Sequence, residues 1–162
     1  MKRFLSTLCA LLITTITAQV SAQEQEFETV MTPAFSPITW ERLVNAKDEP
    51  NNWLMYSGSL DAQRHSSLDE VNINNVSELE LKWAYQIPEI DRAETVPLVV
   101  DGIMFITEAP SNLVAVDART GRQYWRYNHE LPEDLRICCG RNNRGVAILG
   151  ETLFMSTLDA HL

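Results

Sequence analysis

Apolar and polar positions change rhythm several times along this chain. Phe4 to Ile16 is mostly apolar, interrupted by Ser6, Thr7, Thr14 and Thr15. Gln23 to about Pro37 is polar and predicts an extended lead-in. Ser36-Pro37 then predicts a helix start, the serine as N-cap and the proline at the first helical position, running to about Ala46 through Trp40, Leu43 and Val44. Asp48-Glu49-Pro50-Asn51-Asn52 breaks it. Asn51 to Asn75 is rich in turn formers, and Leu68, Val71, Ile73, Val76, Leu79 and Leu81 offer intermittent anchors. Leu81-Lys82-Trp83-Ala84-Tyr85 alternates as a half-buried strand should.

Beyond Glu94 the period is two. Pro97 to Val100, Asp101-Gly102, then Ile103 to Thr107 predict a hairpin with the favoured Asp-Gly turn. Asn112 to Val116 is a third strand, Asp117 to Gly121 a turn, and Gln123 to Tyr127 a fourth strand containing Trp125. Four short antiparallel strands in succession form a blade-like sheet. A second copy starts near Arg144: Gly145 to Leu149, the turn Gly150-Glu151, Thr152 to Ser156, and a third strand beginning at Asp159-Ala160-His161-Leu162. Phe154 falls on Phe105 and Leu162 on Leu113, both at a spacing of 49 with no gap. A period of about 40–50 residues is the signature of propeller blades. The chain stops in mid-blade, so it reads as a fragment that leaves a sheet edge open and is not expected to fold stably alone.

Composition narrows the class. A length of 162 residues suffices for one ordinary domain, and 45% apolar content with four Trp fits a globular one. A formal charge of -9 without a basic stripe argues against a nucleic-acid partner. Met1-Lys2-Arg3, the apolar run and the small residues of Val20-Ser21-Ala22 together predict a signal peptide over 1–22, hence export to the periplasm. The run is about a dozen residues, short of the roughly 20 a membrane span needs. No transmembrane segment is expected after cleavage. Losing Lys2 and Arg3 leaves 11 basic against 22 acidic side chains, a net charge of -11. It also leaves two cysteines in an oxidising compartment, Cys138 and Cys139, and they are adjacent.

Two motifs carry a family resemblance. Ala115 to Trp125 fits A-x-D-x-x-T-G-x-x-x-W and resembles the tryptophan-docking repeat of eight-bladed quinoprotein β-propellers. In such a turn Asp117 and Thr120 can hydrogen-bond locally, Gly121 can take positive φ, and the indole offers a flat surface to a neighbouring blade. Cys138-Cys139-Gly140-Arg141-Asn142-Asn143-Arg144-Gly145 is similar to the C-C-x-x-x-N-R-G segment of alcohol dehydrogenases that depend on pyrroloquinoline quinone (PQQ), such as methanol and ethanol dehydrogenases. Arg141-Asn142 departs from the smaller or apolar residues common there. The segment Ala93 to Gly102 is similar to the stretch in which that family's glutamate reaches the quinone. The resemblance runs from about Asn52 to Leu162.

The resemblance implies an all-β, eight-bladed propeller beginning at about residue 53, preceded by a lead over 23–52. It implies a quinone pocket in which a Cys138–Cys139 disulfide lies against the ring. Adjacent Cα atoms are about 3.8 Å apart, below the usual disulfide range of about 4.4–6.8 Å, so that ring stores strain. Arg144 would pair with a carboxylate of the quinone in bidentate fashion, and Glu94 would hydrogen-bond it. The implied activity is oxidation of a small alcohol to an aldehyde or ketone, with electrons passed to a cytochrome c. Ca²⁺ or a lanthanide completes the family's site, and haem c enters only with a fused cytochrome domain. The metal ligands and the catalytic base are expected downstream of Leu162. His65, His129 and His161 are scattered without metal-ligand spacing, and Glu133, Asp134 and Asp159 read as solvated loop residues. Two rivals stand beside this reading. A non-enzymatic propeller scaffold of the outer-membrane assembly type explains the Trp repeat but leaves the cysteines and Arg144 without a role. A thiol redox protein would need a two-residue spacer between its cysteines.

Overall fold

The computed structural model describes residues 31–88 and 93–162. The expected signal peptide and the start of the lead lie outside the described residues. Among the described residues no helix is long and apolar enough to cross a membrane.

A short helix, α1 (Trp40–Val44), opens the described chain and continues into a 3₁₀ turn at Ala46–Asp48. Its N-cap is Thr39, whose hydroxyl accepts from the Arg42 amide at 3.2 Å, and not Ser36 as the Ser-Pro pair predicts. The reason is a competing use of the backbone. Ile38 exchanges two 2.8 Å hydrogen bonds with Gly150, so the chain must stay extended through Ile38 before it can coil.

Four strands follow as an antiparallel meander: β1 (Leu98–Val100), β2 (Ile103–Glu108), β3 (Asn112–Asp117) and β4 (Gln123–Tyr127). The expected hairpin forms in the expected register, Val100 opposite Ile103, with Asp101 at φ 48° and Gly102 at φ 87°. Two successive positive φ values match the right-handed twist of the flanking strands, which Asp-Gly tolerates cheaply. A second hairpin, β5 (Ala147–Leu149) and β6 (Thr152–Phe154), repeats the first at the spacing of 49. Its strands are shorter than the sequence predicts, and Asp159 to Leu162 lies in a turn and irregular backbone rather than in a third strand.

Alternation assigns the two faces of the sheet. Leu98, Val100, Ile103, Phe105, Leu113 and Ala115 point one way and pack with Ile38, Leu54, Val146, Ile148 and Met155. This layer joins the lead and the second hairpin to the first blade. Met104, Ile106, Val114 and Val116 point the other way, onto Tyr85. On that face Glu108, fully buried, meets Arg126 at 2.5 Å, and burial followed by Glu108 pushes the Tyr85 phenol up to about 12.

Residues 82–85 alternate in exposure as expected, but Leu81 is exposed with Lys82, and the segment joins no ladder among the described residues. Trp83 does the holding instead. Its indole N–H donates to the Ala118 carbonyl at 3.2 Å, and its ring lies so close over Gly121 that a Cβ there would sit 2.5 Å from Cε3. The turn of the Trp repeat therefore receives an indole from the preceding segment. The anchors predicted at Leu68, Val71, Ile73, Val76, Leu79 and Leu81 are exposed, because no described element packs over them.

Candidate functional site

The segment between β4 and β5 carries most of the predicted site, and its C-terminal end is fixed to β2 and to the chain just past β6. Asn143 is buried. Its amide donates to the Ser156 carbonyl at 2.8 Å, its Oδ1 accepts from the Gly145 amide at 3.1 Å, and its carbonyl accepts from the Thr107 hydroxyl at 3.2 Å. Thr107 is itself tied to Thr95 at 2.9 Å. Next to this lock the Val96 amide donates to the Arg144 carbonyl at 3.0 Å. Gly145 has φ 141°, and a Cβ there would lie 3.1 Å from the Val96 carbonyl oxygen. The close approach of these two segments requires glycine.

With the backbone held this way, the Arg144 side chain turns outward onto Glu94. Its Nε and Nη2 donate to Glu94 Oε2 at 3.2 and 2.9 Å, and Asn142 Nδ2 donates to the same oxygen at 2.6 Å. Two residues the sequence singled out, Glu94 and Arg144, are thus brought together across 50 positions. Asn142, read as a departure from the family pattern, proves to be a third member. Arg144 is 69% exposed and carries five N–H donors, of which Glu94 takes two. An open groove of about 420 Å³ alongside is lined by Tyr56, Asn143, Gly145, Ser156 and Leu158.

Cys138 and Cys139 lie on the exposed part of the same segment, four and three positions before Asn142. The expected disulfide between them is not formed here; both side chains are exposed thiols. Adjacent Cα atoms across a trans peptide are about 3.8 Å apart, below the usual disulfide range, so closing this ring would strain the backbone.

The structure also assembles a group that sequence spacing did not announce. His129 follows β4, while Asp159 and His161 lie in the turn after β6. His129 Nε2 is 3.0 Å from both Asp159 carboxylate oxygens, and His161 Nδ1 is 3.1 Å from Oδ2. Thr157 Oγ1 donates to Asp159 Oδ1 at 2.5 Å. That hydroxyl first, and the two imidazoles after it, hold the Asp159 carboxyl well below the usual carboxylate range against the opposing effect of burial. The reading of Asp159 as a solvated residue and of the histidines as scattered is therefore corrected. The second hairpin stacks on the first blade, which brings residues 30 and 32 positions apart into contact. Glu133 and Asp134 are exposed, as expected, and His65 is exposed as well.

The family model described as glucose/ethanol/alcohol dehydrogenase, beta-propeller domain, of the PQQ type, matches residues 53–162. The quinoprotein ethanol dehydrogenase of Pseudomonas aeruginosa is 41% identical over 125 residues, covering 76% of this chain and 20% of the relative. The 1-butanol dehydrogenase (quinone) of Thauera butanivorans is 40% identical over 129 residues, 78% of this chain and 21% of the relative. Among solved structures, the quinohemoprotein alcohol dehydrogenase ADHIIG of Pseudomonas putida HK5 superposes with a TM-score of 0.70 at 33% identity, over 78% of this chain and 19% of that one. A europium-containing methanol dehydrogenase superposes with a TM-score of 0.65 at 28% identity, over 72% of this chain and 21% of that one. The chain spans about a fifth of the length of these relatives.

Proposed function

This chain belongs to the PQQ-type β-propeller family of glucose, ethanol and alcohol dehydrogenases, and we propose that it supplies one wall of a quinone pocket in a periplasmic enzyme that oxidises small alcohols to aldehydes or ketones. The observation that carries this reading is the convergence of Glu94, Asn142 and Arg144 beside the Cys138-Cys139 loop. PQQ is a planar tricarboxylate. A guanidinium with free N–H donors and an amide donor suit its carboxylates, and Glu94 keeps the arginine extended while offsetting its charge. The residues present therefore fit the group.

PQQ held here, with Ca²⁺ or a lanthanide beside it, would supply the electrophilic hydride acceptor for alcohol oxidation. The chain's own residues do other work. Arg144 binds and orients the anionic rim. Asn143 and Gly145 hold the backbone from which Arg144 reaches out. The loop that carries Cys138 and Cys139 borders the pocket on the side next to Arg144. A cytochrome c accepts the electrons. No base or Ca²⁺ ligand is assigned to this chain.

Reconstitution of the whole protein with PQQ and Ca²⁺, and separately with a lanthanide, tests the reading. Alcohol-dependent reduction of an artificial electron acceptor is the expected result, and Arg144→Ala should weaken PQQ binding roughly ten- to a hundredfold, the loss of one charge-assisted hydrogen-bonding group. Failure to bind PQQ with either metal would leave the non-enzymatic propeller scaffold as the better account.

A further inference from the structure

The His129–Asp159–His161 group has no part in that reading. Its members come from two elements, the segment after β4 and the turn after β6, and together offer two imidazole nitrogens and a carboxylate oxygen, all within 4.8 Å of one another. From this geometry we propose that His129, Asp159 and His161 form a site for a divalent transition-metal ion of the zinc type, at the junction of the two sheets.

The separations suit the ion. Zinc binds imidazole nitrogen and carboxylate oxygen at about 2.0–2.2 Å in a tetrahedron, so neighbouring ligand atoms sit roughly 3.3 Å apart. His129 Nε2 and His161 Nδ1 are already 3.0 and 3.1 Å from the Asp159 carboxylate. The remaining edge, between the two nitrogens, need only close from a separation within 4.8 Å. Two neutral imidazoles and one carboxylate favour zinc and its neighbours over Ca²⁺, which takes oxygen ligands only.

Outer partners are in place as well. The Thr157 hydroxyl orients the carboxylate at 2.5 Å, and Tyr127 Oη stands 3.5 Å from His129 Nδ1, the nitrogen that would face away from the ion. Such contacts fix the ligand's tautomer and direction in metal sites generally. The His129 amide donates to Asn112 Oδ1 at 3.1 Å, which anchors this ligand to β3. His161 is 71% exposed, leaving an open side from which the ion enters and where water completes the tetrahedron.

The repeat itself does not demand these residues. At the spacing of 49, Asp159 falls on Pro110 and His161 on Asn112, neither of which could serve as part of such a set. Asp159 and His161 are thus particular to the second copy, and His129 meets them from the end of the first. A bound ion would cross-link the start of the β4–β5 segment to the turn after β6, and the Cys138-Cys139 loop begins between those points.

Cysteine thiolates also bind zinc, so the test uses the full chain with Cys138→Ser and Cys139→Ser as background. Titration of the metal-free protein with ZnCl₂ should show one ion per chain. Co²⁺ should give the visible absorption of a four-coordinate nitrogen–oxygen site. Losing a hydrogen-bond partner of a metal ligand costs about 10–100-fold in affinity, so removing a ligand itself should cost at least about a hundredfold. His161→Ala is the decisive variant, because an exposed side chain can be removed without unfolding the chain; His129→Gln should match it. Absence of stoichiometric zinc binding, or binding unchanged by His161→Ala, would overturn the proposal.

Discussion

Asn143 gives its side-chain amide, its Oδ1 and its carbonyl to three different partners, and in doing so fixes the backbone from which Arg144 reaches Glu94. The amide reaches Ser156 just past β6, the carbonyl is held by Thr107 of β2, and Oδ1 closes the turn onto Gly145. Gly145 then lets Val96 approach. A methyl group at this position would stand 3.1 Å from the Val96 carbonyl, and φ 141° is a conformation side chains rarely adopt. Gly145→Ala should therefore destabilise the chain by about 1–3 kcal/mol, the cost of one strained backbone position, and tilt Arg144 away from Glu94. Denaturant midpoints compared with Gly102→Ala check this. Gly102 has positive φ but nothing within 4 Å of its Cβ position, so it reports conformation without crowding. The sequence showed the N-R-G string and, through resemblance, the part of Arg144. It could not show why the flanking residues are needed, because their partners lie 13 to 49 positions away.

Local chemistry made most elements legible. The β1–β2 hairpin, the turn at Asp117 and all of β4 fall where alternation and turn residues put them, because each depends on neighbours within a few positions. The helix start failed for the opposite reason, since Ile38 answers to Gly150, more than a hundred positions away. The histidine–aspartate group stayed hidden on the same grounds. Glu108 and Arg126 are a third long-range case, linking β2 to β4 across Val114 on the face toward Tyr85. A fully buried carboxylate without its counter-charge is costly. Arg126→Ala should lower stability by about 3–5 kcal/mol, whereas replacing Glu108 and Arg126 together with leucine should be close to neutral. Urea unfolding of the two variants separates these outcomes, and equal losses in both would show that the pair acts through packing alone.

Across the whole molecule, the lead is clamped to the first blade by charge as well as by the Trp53–Val99 bridge, while the Ile38–Gly150 bridge ties it to the second hairpin. Arg42 donates to Glu49 at 2.9 and 2.6 Å and to Asp101 at 3.2 Å, and Asn52 also reaches both acids. The Arg42 guanidinium, its hydrogen bonds outweighing burial, holds the Glu49 carboxyl below its ordinary value near 4.5. A carboxyl whose pKa is lower folded than unfolded binds fewer protons in the native state. Its stabilisation is thus complete above the unfolded value and drains away as pH falls through the folded one. The clamp should accordingly be at full strength at neutral pH and weaken below about pH 4.5. Asp117 titrates in the same direction through its turn amides, so an acid-induced loss in the native chain alone would not identify Glu49. The difference between native and Arg42→Leu chains does. The variant should start less stable at pH 7, and its denaturant midpoint should fall less steeply on acidification, bringing the two curves together at low pH. Parallel curves over that range would mean that the lead is held by its apolar contacts and not by this cluster.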